Sequence, residues 1–316
     1  MITFLVSAIR FGMVLLFGAT GEIITEKSGH LNLGIPGVMC VGAACGCVAE
    51  SLYFTSVGGR IVGPIAIIIG ILAAFVGSAI MGAIFSFFTV TLNLNQNVTG
   101  LVLTTFGVGV SNYMIAQVKP ITFSKAAKYF VQGLPFAKDL GGFGELFFSY
   151  GIMIYLALAI AILSGIFLFK TRTGLHLRAV GENPATADAA GINVSRYRYI
   201  STMIGCGIAG LGGLTFIMDY LRGSWEYIID SIGWLAVALV IFSIWRPTLA
   251  IFCSFVFGAF YVVSAYIPGI TLATKELFKM LPYIVTIVVL VITSIRQKKE
   301  TQAPAALGLP YFREER

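Results

Sequence analysis

The sequence predicts an all-α membrane protein: a polytopic bundle of about nine transmembrane helices, some of them broken, with one short helix on its cytoplasmic side. Composition is the first reason. Of the 316 residues, 58% are hydrophobic and only 11% are charged, whereas soluble proteins carry roughly 25% charged residues. Apolar runs recur along the whole chain, and a charged insert at 177–199 separates two of them. Such a chain has too little polar surface to coat a water-soluble body.

The apolar runs define the predicted spans. A helix needs about 20 mostly apolar residues to cross a bilayer, and roughly eight to ten such spans fit the chain. The third run is long enough to be tilted or broken. We expect a transmembrane domain at 1–295, containing a loop at 170–196, and a tail at 296–316. The runs lie at 3–24, 36–54, 61–90, 98–116, 149–169, 197–217, 232–246, 247–267 and 280–295.

Basic residues orient this bundle. The loop at 170–198 and the tail carry clusters of arginine and lysine, including Lys298 and Lys299, which the positive-inside rule places in the cytoplasm. The N-terminus then lies outside. The loop at 117–140 does not follow the positive-inside rule. The order of the predicted spans places it outside, although it carries four lysines. The prediction is a multi-pass protein of the bacterial plasma membrane with a cytoplasmic C-terminus.

The net charge of +7 does not indicate nucleic-acid binding. The cations lie in loops and at the ends of apolar runs, where membrane topology accounts for them. The five cysteines lie within apolar runs and lack metal-ligand spacing, so we expect neither a disulfide nor a metal site. No nucleophile–base pair suggests catalysis, and an intramembrane enzyme has almost no support.

Small residues recur at helical spacing within the apolar runs. Gly205, Ala209 and Gly213 lie four residues apart, as do Gly42 and Gly46. This spacing lets helix backbones approach closely inside a membrane. The glycines of the first group do not form a phosphate-binding loop, because they follow no strand and lack the Lys-Ser/Thr pair of such loops.

Two polar segments interrupt the apolar pattern. Gly34, Pro36 and Gly37 break the first, and we expect a broken helix over 30–37. The second, 93–97, is equally compatible with a turn between spans and with the wall of a wet cavity. Paired breaks of this kind expose amides to solutes in many transporters, and neutral amides suit a neutral solute. The candidate solute-pathway residues are Asn32, Asn95, Gln96, Asn97 and Thr99.

Two further charges, Arg10 and Glu50, lie near apolar runs. A charge inside the membrane is a functional candidate by default. Because both residues lie near predicted span ends, we expect their side chains instead to extend to the lipid headgroups.

The charged insert contains complete helix signals. Asn183 is a good N-cap, Pro184 falls at the first helical position, and Gly191 is placed to end the helix. The result is a helix of about two turns, which is marginal alone in water. Its alanine-rich surface predicts that it docks on another protein. The alternative is a loop that only caps its own bundle.

The segment "LRAVGENPATADAAGINVSRYRYISTMIGCGIAGLGG" closely resembles the coupling segment of ABC-transporter permeases of the ribose, simple-sugar and nucleoside group. The stretches "ITEKSGHLNLGIPGVMCVGA" and "GWLAVALVIFSIWRP" are similar to early and late segments of that family, although Ser243 and Ile244 replace its Gly-Asn or Gly-Gly. The resemblance implies that the insert contacts a separate ATPase. The residues implied in this contact are Arg178, Gly181, Glu182, Asn183, Pro184, Ala187, Asp188 and Gly191.

The same resemblance implies the partners and the substrate. The "NLGIPG", "NQNVTG" and "LGLPYFREER" stretches look more like nucleoside permeases than ribose permeases. The implied assembly has a second permease subunit, identical or different, an ABC ATPase subunit and an extracellular solute-binding lipoprotein. ATP and Mg²⁺ would bind the ATPase, and this chain would bind no cofactor. A ribose-like sugar remains the alternative substrate, and an ion-coupled secondary transporter is the alternative from another class.

Overall fold

The computed structural model describes residues 2–135, 141–269, 271–296 and 302–312, and the secondary structure of these residues is helical, without strands. The prediction of an all-α bundle is confirmed. The helices are α1 (Ile2–Glu26), α2 (Ile35–Ser56), α3 (Gly63–Ser86), α4 (Gln96–Ala116), α5 (Pro120–Val131), α6 (Gly141–Phe148), α7 (Ile152–Lys170), α8 (Arg172–Glu182), α9 (Pro184–Ala189), α10 (Val194–Thr215), α11 (Ile229–Phe242), α12 (Pro247–Val263), α13 (Leu272–Lys279) and α14 (Leu281–Arg296).

Six of the described helices are long and apolar enough to cross a membrane: α1, α2, α3, α4, α7 and α10. The remaining predicted spans coincide with the shorter helices α11, α12 and α14. The long third run is α3, which continues into a π-helical turn at Phe87–Thr91. A second π-helical turn, Phe216–Tyr220, extends α10 in the same way.

Helix α10 lies at the centre of the bundle, against α1, α2 and α3, while α12 covers another side of α1. Small residues make the central contacts possible, as the sequence predicts. A Cβ atom added to Gly205 would lie 2.3 Å from the Thr25 hydroxyl oxygen, and one added to Gly42 would lie 2.5 Å from the Gly210 backbone. Larger side chains would push these helices apart.

The two ends of the bundle differ in what they carry. The amino-terminal end holds the start of α1 and contacts such as that between the Tyr266 hydroxyl and the Thr3 carbonyl oxygen. The opposite end, here called the tail end, holds α8, α9 and residues 302–312, where the Gly308 amide donates to the Gly29 carbonyl oxygen at 3.2 Å. The predicted tail therefore packs back onto the bundle over its described part. Lys298 and Lys299 lie outside the described residues.

The prediction of a broken helix over 30–37 is wrong. Helix α1 ends at Glu26, and α2 begins at Ile35 with Pro36 in its first turn. A proline in the first turn starts a helix without losing a hydrogen bond. Residues 27–34 are therefore a connection between two complete helices, here called the 27–34 segment. They are nonetheless largely buried, because α8, α10 and the tail cover them.

Candidate functional site

The tail end is built around three consecutive helices with side-chain caps. Thr171 caps α8, and its hydroxyl oxygen accepts from the Gly174 amide. The Asn183 side-chain oxygen accepts from the Thr186 amide at 3.0 Å, and Pro184 follows at the first helical position. Asn193 caps α10 by accepting from the Arg196 amide at 2.8 Å. The predicted start of α9 is confirmed.

The end of α9 also follows the prediction. Gly191 has φ +82°, and its amide donates to the Asp188 carbonyl oxygen at 2.9 Å. A left-handed residue of this kind is the usual end of a helix, and glycine adopts it without strain. The chain turns sharply after α9, so α9 projects as a separate short helix between α8 and α10.

Helix α9 presents one face to solvent and one to its own chain. The prediction of an exposed alanine surface is wrong at Ala187, which is only 4% exposed. Ala187 packs with Val180, Val194 and Tyr311 in a small apolar cluster. This cluster holds in place a helix that would be marginal alone. The exposed residues of the segment are Glu182, Asn183, Ala185, Thr186, Ala189, Ala190, Gly191 and Asn193.

The end of α8 rests directly on the 27–34 segment. A Cβ atom at Gly181 would lie 2.4 Å from the Lys27 carbonyl oxygen, so only glycine fits there. Arg178 stacks its guanidinium over the Phe169 ring, with 5.0 Å to the ring centroid. Burial lowers the pKa of Lys27, although the Glu182 carboxylate opposes this shift. The sequence-predicted residues Arg178, Gly181 and Glu182 thus lie where the end of α8 meets the bundle, directly before α9.

His30 lies at the centre of the 27–34 segment and is fully buried. Its Nδ1 atom lies 2.7 Å from the Thr202 hydroxyl of α10, and its Nε2 atom lies 2.7 Å from the Thr89 hydroxyl of the π-helical turn after α3. Burial, with a further contribution from the Arg198 charge, lowers the pKa of His30 to about 3. A neutral imidazole therefore links three elements at the tail end.

Two predicted solute-pathway residues have structural partners here. The Asn32 backbone N–H donates to a Glu22 carboxylate oxygen at 3.1 Å. The Asn32 side-chain oxygen accepts from the Gly34 backbone N–H at 2.9 Å. The Gln96 side chain accepts from the Leu31 amide at 2.8 Å and donates to the Leu309 carbonyl oxygen at 3.3 Å. Both side chains are buried and fix loops at the tail end. Solute contact by either residue stays a prediction.

The other predicted pathway residues belong to the first turn of α4. Asn95 is its N-cap, accepting from the Val98 amide at 3.1 Å, and the Thr99 hydroxyl donates back to the Asn95 carbonyl oxygen. Asn97 is exposed. At helical spacing, Asn97, Thr105 and Asn112 lie on one face of α4. This face points away from the chain's own core and carries more polarity than a lipid-facing helix normally does.

The prediction that Arg10 and Glu50 extend to the headgroups is wrong. The Arg10 guanidinium lies 3.7 Å from the Asp219 carboxylate, in the π-helical turn after α10, and also donates to the Ser149 carbonyl oxygen at 3.2 Å. Glu50 is fully buried on α2. Glu50 is enclosed within the bundle, and the Arg10 guanidinium is directed to Asp219 and Ser149, so neither side chain takes the predicted position.

Sequence reasoning missed several buried polar residues at the tail end. The Trp245 indole N–H donates to the Glu26 carboxylate, and Glu22 lies one turn earlier on the same face of α1. Arg198, expected in a solvated loop, is buried behind Gly29. Polar residues inside an apolar helical run were a usable signal for Glu22 and Glu26. Nothing in the local sequence marks Trp245 or Arg198 as buried partners.

Comparison with known proteins finds a matching family and relatives similar over nearly the whole chain. The family described as branched-chain amino acid transport system, permease component, matches residues 4–290. The guanosine ABC transporter permease protein NupQ of Bacillus subtilis is 30% identical over 313 residues, 96% of this chain and 94% of that protein. The nucleoside ABC transporter permease protein NupC of Lactococcus lactis is 31% identical over 310 residues, 95% of this chain and 93% of that protein.

A third relative has a name that refers to a different substrate. TsgC13 of Haloferax volcanii, whose name suggests glucose transport, is 30% identical over 339 residues, 98% of this chain and 97% of that protein. The family match spans almost all of the predicted transmembrane domain. The resemblance that the α8–α10 segment indicates is therefore confirmed, and the chain belongs to the family of ABC transporter permeases described as branched-chain amino acid transport system permease components.

Proposed function

We propose that this chain forms half of the translocation pathway of an ATP-driven importer of nucleosides and couples it to a separate ATPase through α9. The observation that carries the proposal is α9 itself. It is capped at its start, ended by Gly191, held from within by Ala187 and exposed on its outer face. A short rigid helix with a small-residue surface fits a groove on a partner protein.

The ATPase partner binds ATP and Mg²⁺, and this chain responds to its movement. When two ATPase subunits close on ATP, a docked α9 moves with them. Helix α10 follows α9 after a short turn and is the most enclosed of the long helices, packed on α1, α2 and α3. Displacement of α9 therefore reaches the centre of the bundle. This route requires the tail end, and with it the C-terminus, to lie in the cytoplasm.

The outward face of α4 supports the pairing with a second permease subunit, identical or different. Thr105 and Asn112 lie along this face, and at Gly109 a Cβ atom would meet open space. Polar groups facing lipid are unfavourable, so a partner subunit or a water-filled path covers this face. Asn97 stands at its tail-end limit. A solute delivered by an extracellular binding lipoprotein would pass along it.

The substrate proposal rests on chemistry and on similarity. Neutral amides and hydroxyls on the α4 face suit a neutral, hydroxyl-bearing solute. Two relatives at 30% and 31% identity are named for guanosine and nucleoside transport. The name of TsgC13 makes a sugar the second candidate.

Uptake by the reconstituted complex tests the proposal. The permease, its ATPase, its partner permease and the binding protein would be placed in liposomes with ATP inside. We expect uptake of radiolabelled guanosine or uridine that requires ATP and every subunit, and little uptake of ribose or glucose. Liposomes that lack only the ATPase are the control.

The outcomes separate the alternatives. Uptake of ribose or glucose without nucleoside uptake would reassign the substrate and leave the coupling proposal intact. Solute uptake by this chain alone, driven by an ion gradient, would refute an ATP-driven mechanism and with it the role of α9.

A further inference from the structure

The described part of the tail, residues 302–312, returns to the bundle and crosses the surface of the tail end. Pro304 and Ala306 are buried, and Ala303 and Leu307 pack against the main core. A segment that merely trailed from the last helix would not bury its residues in this way. The tail is therefore a packed part of the tail end.

The tail contacts the α8–α9 junction at its start and α9 at its end. The Ala306 amide donates to the Gly181 carbonyl oxygen at 3.0 Å, and the Ala305 amide lies 3.4 Å from a Glu182 carboxylate oxygen. Further along, the Tyr311 hydroxyl donates to the Asp188 carboxylate of α9 at 2.8 Å. The Tyr311 ring also covers the cluster that contains Ala187.

Between these points the tail contacts the elements that close the tail end. The Gly308 amide donates to the Gly29 carbonyl oxygen at 3.2 Å, and the Leu309 carbonyl oxygen accepts from Gln96 on the first turn of α4. Gln96 also holds the Leu31 amide. One short stretch of chain thus touches α9, the 27–34 segment and α4 together.

We propose that residues 302–312 form a strap that transmits the displacement of α9 directly to the 27–34 segment and to α4, with Tyr311 as the positioning residue that fixes the strap to α9. This inference rests on the proposed coupling role of α9. Without the strap, α9 would act on the bundle through its chain neighbours α8 and α10. With it, α4, whose outward face is the proposed pathway, moves with the ATPase as well.

Charge and packing explain why Tyr311 is the point of attachment. A hydroxyl that donates to a carboxylate forms a charge-assisted hydrogen bond, roughly twice as strong as a neutral one. The ring supplies apolar contact to the inner face of α9 in addition. The strap is therefore joined to α9 by a directional bond and by packing, and Tyr311→Phe removes only the bond.

The test measures coupling in the complete reconstituted transporter. We expect Tyr311→Phe to lower solute uptake per ATP hydrolysed by roughly tenfold or more, the loss that corresponds to one hydrogen bond to a charged group. The variant should still fold and should co-purify with the ATPase as the wild type does, which separates transmission from gross unfolding and from docking. Tyr227→Phe is the matched control, because Tyr227 is an exposed tyrosine in the loop between α10 and α11.

A double-mutant cycle sharpens the result. Asp188→Ala, which removes the acceptor, should also lower the ratio, and the double variant should be no worse than the more affected single variant, because both changes remove the bond between Tyr311 and Asp188. Unchanged uptake per ATP in Tyr311→Phe, or additive losses in the double variant, would overturn the strap while ATP-dependent uptake by the wild type upholds the proposed function. A wild-type complex without ATP-dependent uptake would overturn both.

Discussion

His30 shows how a single buried side chain organises the tail end. Its two ring nitrogens bond to hydroxyls on α10 and on the π-helical turn after α3. A protonated ring would carry an unpaired charge into a site that already contains Arg198. The pKa of His30 is therefore about 3 in the folded chain, against an ordinary value of 6.5.

This difference predicts a pH dependence of stability. Below pH 6.5 the unfolded chain binds a proton at His30 that the folded chain does not bind until about pH 3. The free energy of unfolding is therefore not reduced by this group above pH 6.5. It falls as the pH drops below that value, by about 2 kcal/mol at pH 5. Thermal unfolding in detergent at pH 7.5 and pH 5 should show this loss.

The two histidines of the chain provide the control. His30→Gln keeps an amide that can bond but cannot titrate, so the variant should lose this part of the pH dependence. His176→Gln should retain it, because His176 is exposed. Parallel pH curves for the wild type and His30→Gln would show that His30 is not the titrating group.

At this scale the sequence predicts caps better than burial. The roles of Asn183 and Gly191 at the start and end of α9 can be predicted because they depend on neighbours in sequence. The partners of His30 and of Trp245 lie far along the chain, so no local pattern reveals them. Ile244 is another case that the local sequence does not reveal, because its φ of +54° is a conformation unfavourable for a branched side chain.

At the scale of elements, α9 depends on its cap more than a long helix does. A helix this short has few internal hydrogen bonds. Asn183→Ala should cost about 1 kcal/mol and fray the first turn. We expect weaker binding of the ATPase by this variant, measured by titrating the purified ATPase against the permease in nanodiscs.

Asn95→Ala is the matched variant. Asn95 caps α4 through the same kind of bond, from its side-chain oxygen to the Val98 amide. The Asn95→Ala variant should lower the stability of the permease by a similar amount without weakening its binding to the ATPase. Equal loss of ATPase affinity in both variants would mean that α9 is not the docking element.

The π-helical turns mark the limit of prediction for elements. Phe87–Thr91 supplies Thr89 to His30, and Phe216–Tyr220 supplies Asp219 to Arg10. In sequence, each is simply the end of an apolar run. Widened turns of this kind often accompany functional positions, but a hydrophobic pattern of period 3.6 does not distinguish them from α-helix. The predicted span at 61–90 accordingly has the right length and an unforeseen final turn.

At the scale of the whole molecule, composition and periodicity predicted the all-α bundle, because burial in a bilayer leaves a strong sequence signal. Of the roughly nine predicted spans, six correspond to described helices that are long and apolar enough to cross a membrane. The contacts between these helices depend on long-range packing that the pattern does not encode. The solute-pathway prediction illustrates this: Asn32 and Gln96 are polar because they hold loops together, whereas Asn97 lies on the outward face of α4.

The outward face of α4 leads to a prediction for the assembled transporter. Val102 on α4 and Leu163 on α7 are each 62% exposed in the single chain. We expect Val102→Trp to disrupt pairing of the permease subunits and to lower uptake, because a bulky ring would separate two packed helices. Leu163→Trp should have little effect where it faces lipid. Size-exclusion chromatography of the purified complex and uptake assays would measure both.

An intact permease pair in Val102→Trp, with normal uptake, would place the subunit contact elsewhere on the bundle. Dissociation of the permease pair in Leu163→Trp, but not in Val102→Trp, would indicate that the subunits meet at α7.

The return of the tail also has a consequence for biogenesis. Residues 302–312 are the last described part of the chain to leave the ribosome, yet they complete the surface around α9 and cover the 27–34 segment, which is made near the beginning. The tail end can therefore close only after the described helices that precede this segment have been made. Only a chain that includes this segment has a completed surface around α9, the proposed docking element, so a messenger truncated before this segment would yield membrane-inserted chains with an open tail end.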